Sequence, residues 1–130
     1  MAAVKGVITV MGRKKLCEAH AGTRQLPRIA KMAWGDGGVE QDGTPKTVTG
    51  EETSLYNELL KKEVGEPVFV NEEHTACRYA AVLEANDLVG KEISELALYD
   101  EEDDMIAYQT FLRKGKDEGI PQKYEIDEIF

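Results

Sequence analysis

Both cysteines and both histidines of the chain fall in pairs at one spacing, Cys17-Glu18-Ala19-His20 and His74-Thr75-Ala76-Cys77. Two cysteines and two histidines are the donor set of a tetrahedral zinc site. On a helix, positions i and i+3 share a face, so Cys17 and His20 can point together. Along a strand they point to opposite faces, so His74 has to occupy a turn for the second pair to converge. The plainer reading is one cysteine packed on a helix, one on a strand, and two surface histidines. The same residues raise the question of Cys–His nucleophilic catalysis. No orienting acid, oxyanion-binding nest or helix-start position activates either thiol, and a mid-helix cysteine is ordinarily inert. The expectation is no metal, no cofactor and no catalytic residue. A small Cys2His2 metal-binding assembly chaperone or regulatory protein, using Cys17, His20, His74 and Cys77, is the competing reading.

Gly35-Asp36-Gly37-Gly38 invites comparison with a phosphate-cradling loop. It lacks the G-x-x-x-x-G-K-[ST] spacing, and no helix start follows to receive an anion. These glycines read instead as a turn with positive φ. Asp100-Glu101-Glu102-Asp103-Asp104 offers carboxylates for Ca²⁺ but has no glycine for the sharp turn of a calcium loop, so it reads as a solvated hairpin tip. Glu95 differs from these. Period-two alternation puts it on one strand face with Ile93, Ala97 and Tyr99, and a half-buried carboxylate needs a partner. It reads either as an ion pair that braces a loop or a neighbouring subunit, or as an edge-strand carboxylate facing water. No two carboxylates are placed at a catalytic distance by sequence alone, so hydrolysis by an acidic pair has no support.

The elements that must position these residues run from helix to strands. Thr9 can cap a helix over roughly Val10 to Ala21 that Gly22 ends. Gly12, Leu16 and Ala19 give it a small-residue face able to lie close on a sheet. Leu26 to Trp34 reads as a strand with Ala30, Met32 and Trp34 on one face. A long polar loop follows, and Thr53 can cap a short helix carrying Leu55, Leu59 and Leu60. From there the pattern is β: Glu66 to Asn71, Ala76 to Ala85, Ile93 to Tyr99, then Met105 to Leu112 as a hairpin partner. Lys123 to Phe130 closes the chain, with Tyr124 and Ile126 on one face. The order predicts an α+β fold, a mostly antiparallel sheet with an N-terminal helix packed on it and a second short helix.

The 130 residues are 42% apolar and 32% charged, which suits one globular domain over 1–130. A net charge of −9 disfavours nucleic-acid and anionic-membrane partners. No apolar run approaches the roughly 20 residues of a membrane span, and the N-terminus does not read as a secretory signal. Two cysteines are too few for a disulfide scaffold, which points to synthesis in a reducing cytosol.

Three segments then line up in order. Thr9-Val10-Met11-Gly12-Arg13 through Ala21-Gly22 and on to Trp34-Gly35-Asp36-Gly37-Gly38 resembles the opening of the phage tail-collar fibre family. Thr53-Ser54-Leu55-Tyr56-Asn57-Glu58 resembles its short loop-to-helix motif, and Ile93 to Asp100 followed by Met105-Ile106-Ala107 resembles its late hairpin. Ala97 stands where that family usually has glycine, and the acidic run replaces a tighter turn. The resemblance implies a non-enzymatic N-terminal domain that docks a tail fibre on the baseplate of a contractile phage tail or phage-tail-like particle such as a tailocin. It also implies baseplate or fibre partners, a homotrimer by analogy, synthesis in the bacterial cytoplasm and a final place in the virion or particle. The sequence ends at Phe130 with no shaft or tip, so the expectation is an adaptor, a baseplate or tail accessory piece, or part of a longer fibre. Its working parts are expected to be surfaces: the Gly35 to Gly50 loop, the late hairpin and the C-terminal strand. Gly35, Asp36, Gly37, Glu95, Tyr99 and Asp100 are the candidate interaction residues.

Overall fold

The computed structural model describes residues 2–130. Two short strands, β1 (Val4–Lys5) and β2 (Val7–Ile8), precede the helix α1 (Val10–His20). Thr9 starts the helix as expected: its hydroxyl accepts the Gly12 N–H at 3.1 Å and donates to the Met105 carbonyl at 2.7 Å, tying the helix start to the sheet. Gly22, at φ 78°, ends it. The Gly22 and Thr23 amides donate back to the Ala19 and Glu18 carbonyls, which satisfies the last turn.

The strands β3 (Ile29–Gly35), β4 (Glu58–Glu63), β5 (Val68–Phe69), β6 (Ala76–Leu83), β7 (Glu92–Asp100), β8 (Met105–Gly115) and β9 (Gln122–Ile129) follow. They form two sheets rather than the one expected. One has the order β1-β9-β6-β5 and the other β2-β8-β7-β3-β4. All pairings are antiparallel except that of β1 on β9. Residues 2–9 therefore add an edge to each sheet, through strands too short to show a period.

Met32, Trp34, Leu96 and Leu98 from the five-stranded sheet meet Ala81, Leu83, Tyr124 and Ile126 from the four-stranded sheet in the main core. The opposite face of the five-stranded sheet carries a second cluster of Ala33, Ala97, Tyr99 and Tyr108. Val48 and Leu55, from the long connection between β3 and β4, cover it. Burying both faces explains why β7 has eight consecutive buried residues.

The second short helix is absent. Leu59 and Leu60 lie in β4, with Leu60 opposite Trp34, and the Tyr56 and Asn57 amides that a first helical turn would hold are bound to the Glu95 carboxylate. A tertiary acceptor has overridden local propensity. A second correction concerns Ile93, expected beside Glu95. The β7–β8 register shifts between Ile93 and Glu95, and this bulge turns Ile93 into the main core.

Candidate functional site

Glu95 is fully buried on β7 and faces the long connection. Its Oε2 accepts the Gly37 and Asn57 amides at 2.9 and 2.8 Å. Its Oε1 accepts the Tyr56 amide at 2.8 Å and the Tyr108 hydroxyl at 2.5 Å. One carboxylate thus pins both ends of the connection to the sheet. Such charge-assisted bonds are the stronger class, and they offset the desolvation of the buried charge. Burial first, then the bond to Glu95, raises the Tyr108 phenol well above its ordinary value.

The glycines before the connection make this clasp sterically feasible. A Cβ on Gly35 would stand 2.4 Å from both the Asn57 carbonyl oxygen and Glu95 Oε2, and one on Gly38 would stand 2.2 Å from the Ser94 carbonyl oxygen. None of Gly35, Gly37 and Gly38 has positive φ. They serve close approach, not the left-handed turn expected of them. Ser94 Oγ takes the Gly38 amide at 2.9 Å, and Asp36 accepts from the Asn57 side-chain amide at 2.6 Å.

Further along, the Thr110 hydroxyl donates to the Lys46 carbonyl at 2.6 Å, and the Val10 amide donates to the Gly50 carbonyl at 2.7 Å. Glu52 holds the Thr49 and Gly50 amides at 3.0 and 2.8 Å. Burial pushes its carboxyl up, but these amides pull harder and the net shift is downward. The connection has almost no regular structure, yet it is braced along its length. On its outside stands Tyr56, 54% exposed, with the Lys46 ammonium 3.9 Å from its ring centroid.

Of the expected interaction residues, the structure brings Gly35, Asp36, Gly37 and Glu95 together. Tyr99 and Asp100 lie at the far end of β7. Tyr99 is buried, with the Lys61 ammonium 3.7 Å from its ring centroid. Asp100 belongs to a different cluster, which turns on a residue that sequence reading passed over. Lys15, one turn beyond Gly12 on α1, is only 2% exposed. Gly12 presses the helix so close that a Cβ there would lie 2.9 Å from the Ile106 carbonyl oxygen. The Lys15 ammonium consequently sits among Asp100, Glu102 and Asp104 at 2.6, 2.8 and 2.7 Å. Burial works against its charge, but the three carboxylates outweigh it and hold the lysine well above its ordinary value.

The acidic run is a hairpin tip, as expected, but each of its carboxylates is paired with a cation rather than merely solvated. Glu101 pairs with Arg28, Glu102 also with Arg24, and Asp103 with Lys61. Asp100, Glu102 and Asp104 have oxygens within 4.8 Å of one another, a spacing that would suit a metal ion; their cation is Lys15.

The Cys2His2 reading is not supported. His74 does lie in a turn, at φ 55°, but it stacks on Phe69 at 3.9 Å between ring centroids. Cys77 is buried on β6, and Cys17 is exposed on the helix. Among the described residues the only group of three or more converging metal-type ligands is the acidic one around Lys15. Among them too, no helix is long and apolar enough to cross a membrane.

A family model described as phage tail-collar fibre protein, N-terminal, matches residues 1–124. No curated protein and no solved structure matches the chain.

Proposed function

The chain belongs to the phage tail-collar fibre protein family, whose N-terminal model covers most of it, and from that premise we propose that it docks a fibre to the baseplate of a contractile phage tail or tail-like particle. The family is a structural one, and the role proposed here is contact rather than catalysis. The observation that carries the reading is the braced connection between β3 and β4. Long connections without regular structure are usually functional surfaces or disordered segments. This one is held by a buried carboxylate, a serine and a threonine of the sheet beneath it. Its shape is therefore set before a partner arrives, which lowers the ordering cost of association. Gly35, Asp36 and Gly37 shape its start, and Tyr56 and Lys46 supply an exposed aromatic and a charge of the kind that anchors interfaces. Tyr99 and Asp100 are buried and would act by holding the hairpin tip beside them, whose exposed acids would form a second contact.

Light scattering after size-exclusion chromatography is expected to give an oligomer, a trimer by analogy with tail fibres. Purified baseplate proteins are expected to bind it over more than roughly 1,000 Å². Replacing Tyr56 and Lys46 together by alanine should weaken that binding about ten-fold with little change in melting. A strict monomer that binds no baseplate or fibre protein would overturn the reading.

A further inference from the structure

At the end of the molecule away from the Glu95 clasp, α1, packed on β8 of the five-stranded sheet, and the segment after it face Tyr79 and Glu128 of the four-stranded sheet. Between them is a cavity of about 280 Å³. Leu16, Leu26, Tyr79 and Phe130 wall it with apolar and aromatic surface, and Glu128 of β9 lines it. Glu128 follows Tyr124 and Ile126 on the inward face of β9, stands opposite the buried Cys77 of β6, and is 6% exposed. Every other buried acid described above is hydrogen-bonded. Among the described residues no hydrogen-bond donor and no cation is found on the Glu128 carboxylate; the one fully enclosed side-chain polar atom without a partner is Trp34 Nε1, so the Glu128 oxygens keep a little contact with solvent through the cavity. Burial alone drives its carboxyl up to about 7.

The two cations that line the same cavity are already committed, Lys15 to three carboxylates and Arg28 to Glu101. A mostly buried carboxylate served only by solvent in a cavity is poorly compensated, and an incoming cation improves on that. The mouth of the cavity carries apolar surface, with Leu26 50% and Phe130 61% exposed. The volume lies at or just below the small end of ligand sites, which run from roughly 300 Å³ upward, so it suits one long side chain. Apolar and aromatic walls favour a guanidinium over an ammonium, because the planar guanidinium is more weakly hydrated and stacks on rings.

We propose that this cavity is a socket for one arginine side chain of a neighbouring protein in the particle, with its guanidinium on Glu128 and its apolar flank over Leu26 and Phe130. That the neighbour is a particle protein rests on the docking reading above; the chemistry of the socket does not.

The test uses the full chain, ¹⁵N-labelled, titrated at millimolar concentration with acetyl-Leu-Arg-Leu-amide and with the same peptide carrying citrulline, which keeps the shape of arginine and loses its charge. Expected are shifts at the amides of Leu16, Tyr79 and Glu128, with the arginine peptide binding at least about ten-fold tighter. Glu128→Gln should abolish the preference. No response, equal responses, or a preference that survives E128Q would overturn the proposal. Shifts at the same amides on raising protein concentration without peptide would make the occupant a second copy of the chain, which also overturns it. Should E128Q fail to fold, the ¹³C titration of the Glu128 carboxyl in the unaltered protein decides instead: its midpoint should fall with the arginine peptide and stay with the citrulline one. Baseplate binding is measured separately. A socket that takes arginine on a protein that binds no baseplate component would sink the docking reading and leave the socket standing.

Discussion

Glu95 and Glu128 are the same residue type, both on covered faces of their strands and both nearly excluded from solvent, yet their surroundings are opposite. Glu95 accepts three backbone amides and a phenol. Glu128 accepts nothing among the described residues, and burial pushes its carboxyl up to about 7. A buried charge with its hydrogen bonds satisfied acts as a brace, and removing it strands every donor it held. A buried charge without them is a cost carried by the fold, and it lowers its charge by holding a proton more tightly. The difference separates structure from availability: the first site is complete, and the second has room for something else.

The sharpest way to break the comparison is to remove both carboxylates in turn. Glu95→Leu leaves the Gly37, Tyr56 and Asn57 amides and the Tyr108 hydroxyl without their acceptor, and should destabilise the protein by about 3–5 kcal/mol in urea unfolding. Glu128→Leu should be neutral or stabilising, because it replaces an unpaired charge by an apolar group in an apolar cavity. Equal losses at the two positions would show that burial, not donor supply, governs both.

Lys15→Met comes next, at about 3 kcal/mol near neutral pH. It strands Asp100, Glu102 and Asp104 within 4.8 Å of one another. In the unaltered protein the Glu102 carboxyl is held below its ordinary value, first by Lys15 and then by Arg24. The stability this brings is present at neutral pH and fades as pH falls through that lowered value. The gap between variant and parent should therefore hold from neutral pH down to about 4.5 and narrow only below it, as followed by thermal melting across a pH series.

The same contrast shows what could be read from sequence. The burial of Glu95 was legible because Ala97 and Tyr99 alternate with it, but its partners were not: they are three amides and a phenol, neither the ion-pair cation nor the water of the two readings. Glu128 obeys the same rule, two residues after Ile126 and four after Tyr124, but it falls at the last turn of the pattern. There it passes for a frayed end, and no sequence feature says whether donors surround it. Lys15 lies three residues after Gly12, on the face that Gly12, Leu16 and Ala19 mark for close packing. Charge argued for solvent, and the compensating acids are 85 to 89 residues away. The second helix fails for a related reason: the Leu55, Leu59 and Leu60 spacing is locally helical, and it is the distant Glu95 carboxylate, with the ladder of β4 on β3, that makes an extended chain the better answer. Local signals such as the Thr9 cap and the Gly22 stop were readable. Arrangements that depend on one remote charge were not.

Glu128 ordinarily titrates near 4.5 and here near 7. A carboxyl raised on folding lends stability that is fully present below about pH 4.5 and is lost as pH climbs through 7. At about 1.4 kcal/mol per pKa unit the loss is at most about 3 kcal/mol. Glu128→Gln removes the titration, so parent and variant should melt together near pH 4, and the variant should be the more stable at pH 8. Parallel curves across that range would mean that the carboxylate has partners after all.

The smallest expected effect is on stability and the most specific on recognition. Leu26 and Phe130 are 50% and 61% exposed, so replacing both by serine should change folding stability by less than about 0.5 kcal/mol. If they form the mouth of an arginine socket, the same double variant should weaken the arginine peptide several-fold while leaving the Glu128 titration where it was, since burial of the carboxyl comes from the sheet and helix behind them. A large drop in melting temperature would instead make these residues part of the packing of α1 on the sheet. The socket would then be a closed seam, and Glu128 a cost with no use. The two outcomes separate cleanly because exposure sets the stability term and the peptide sets the other.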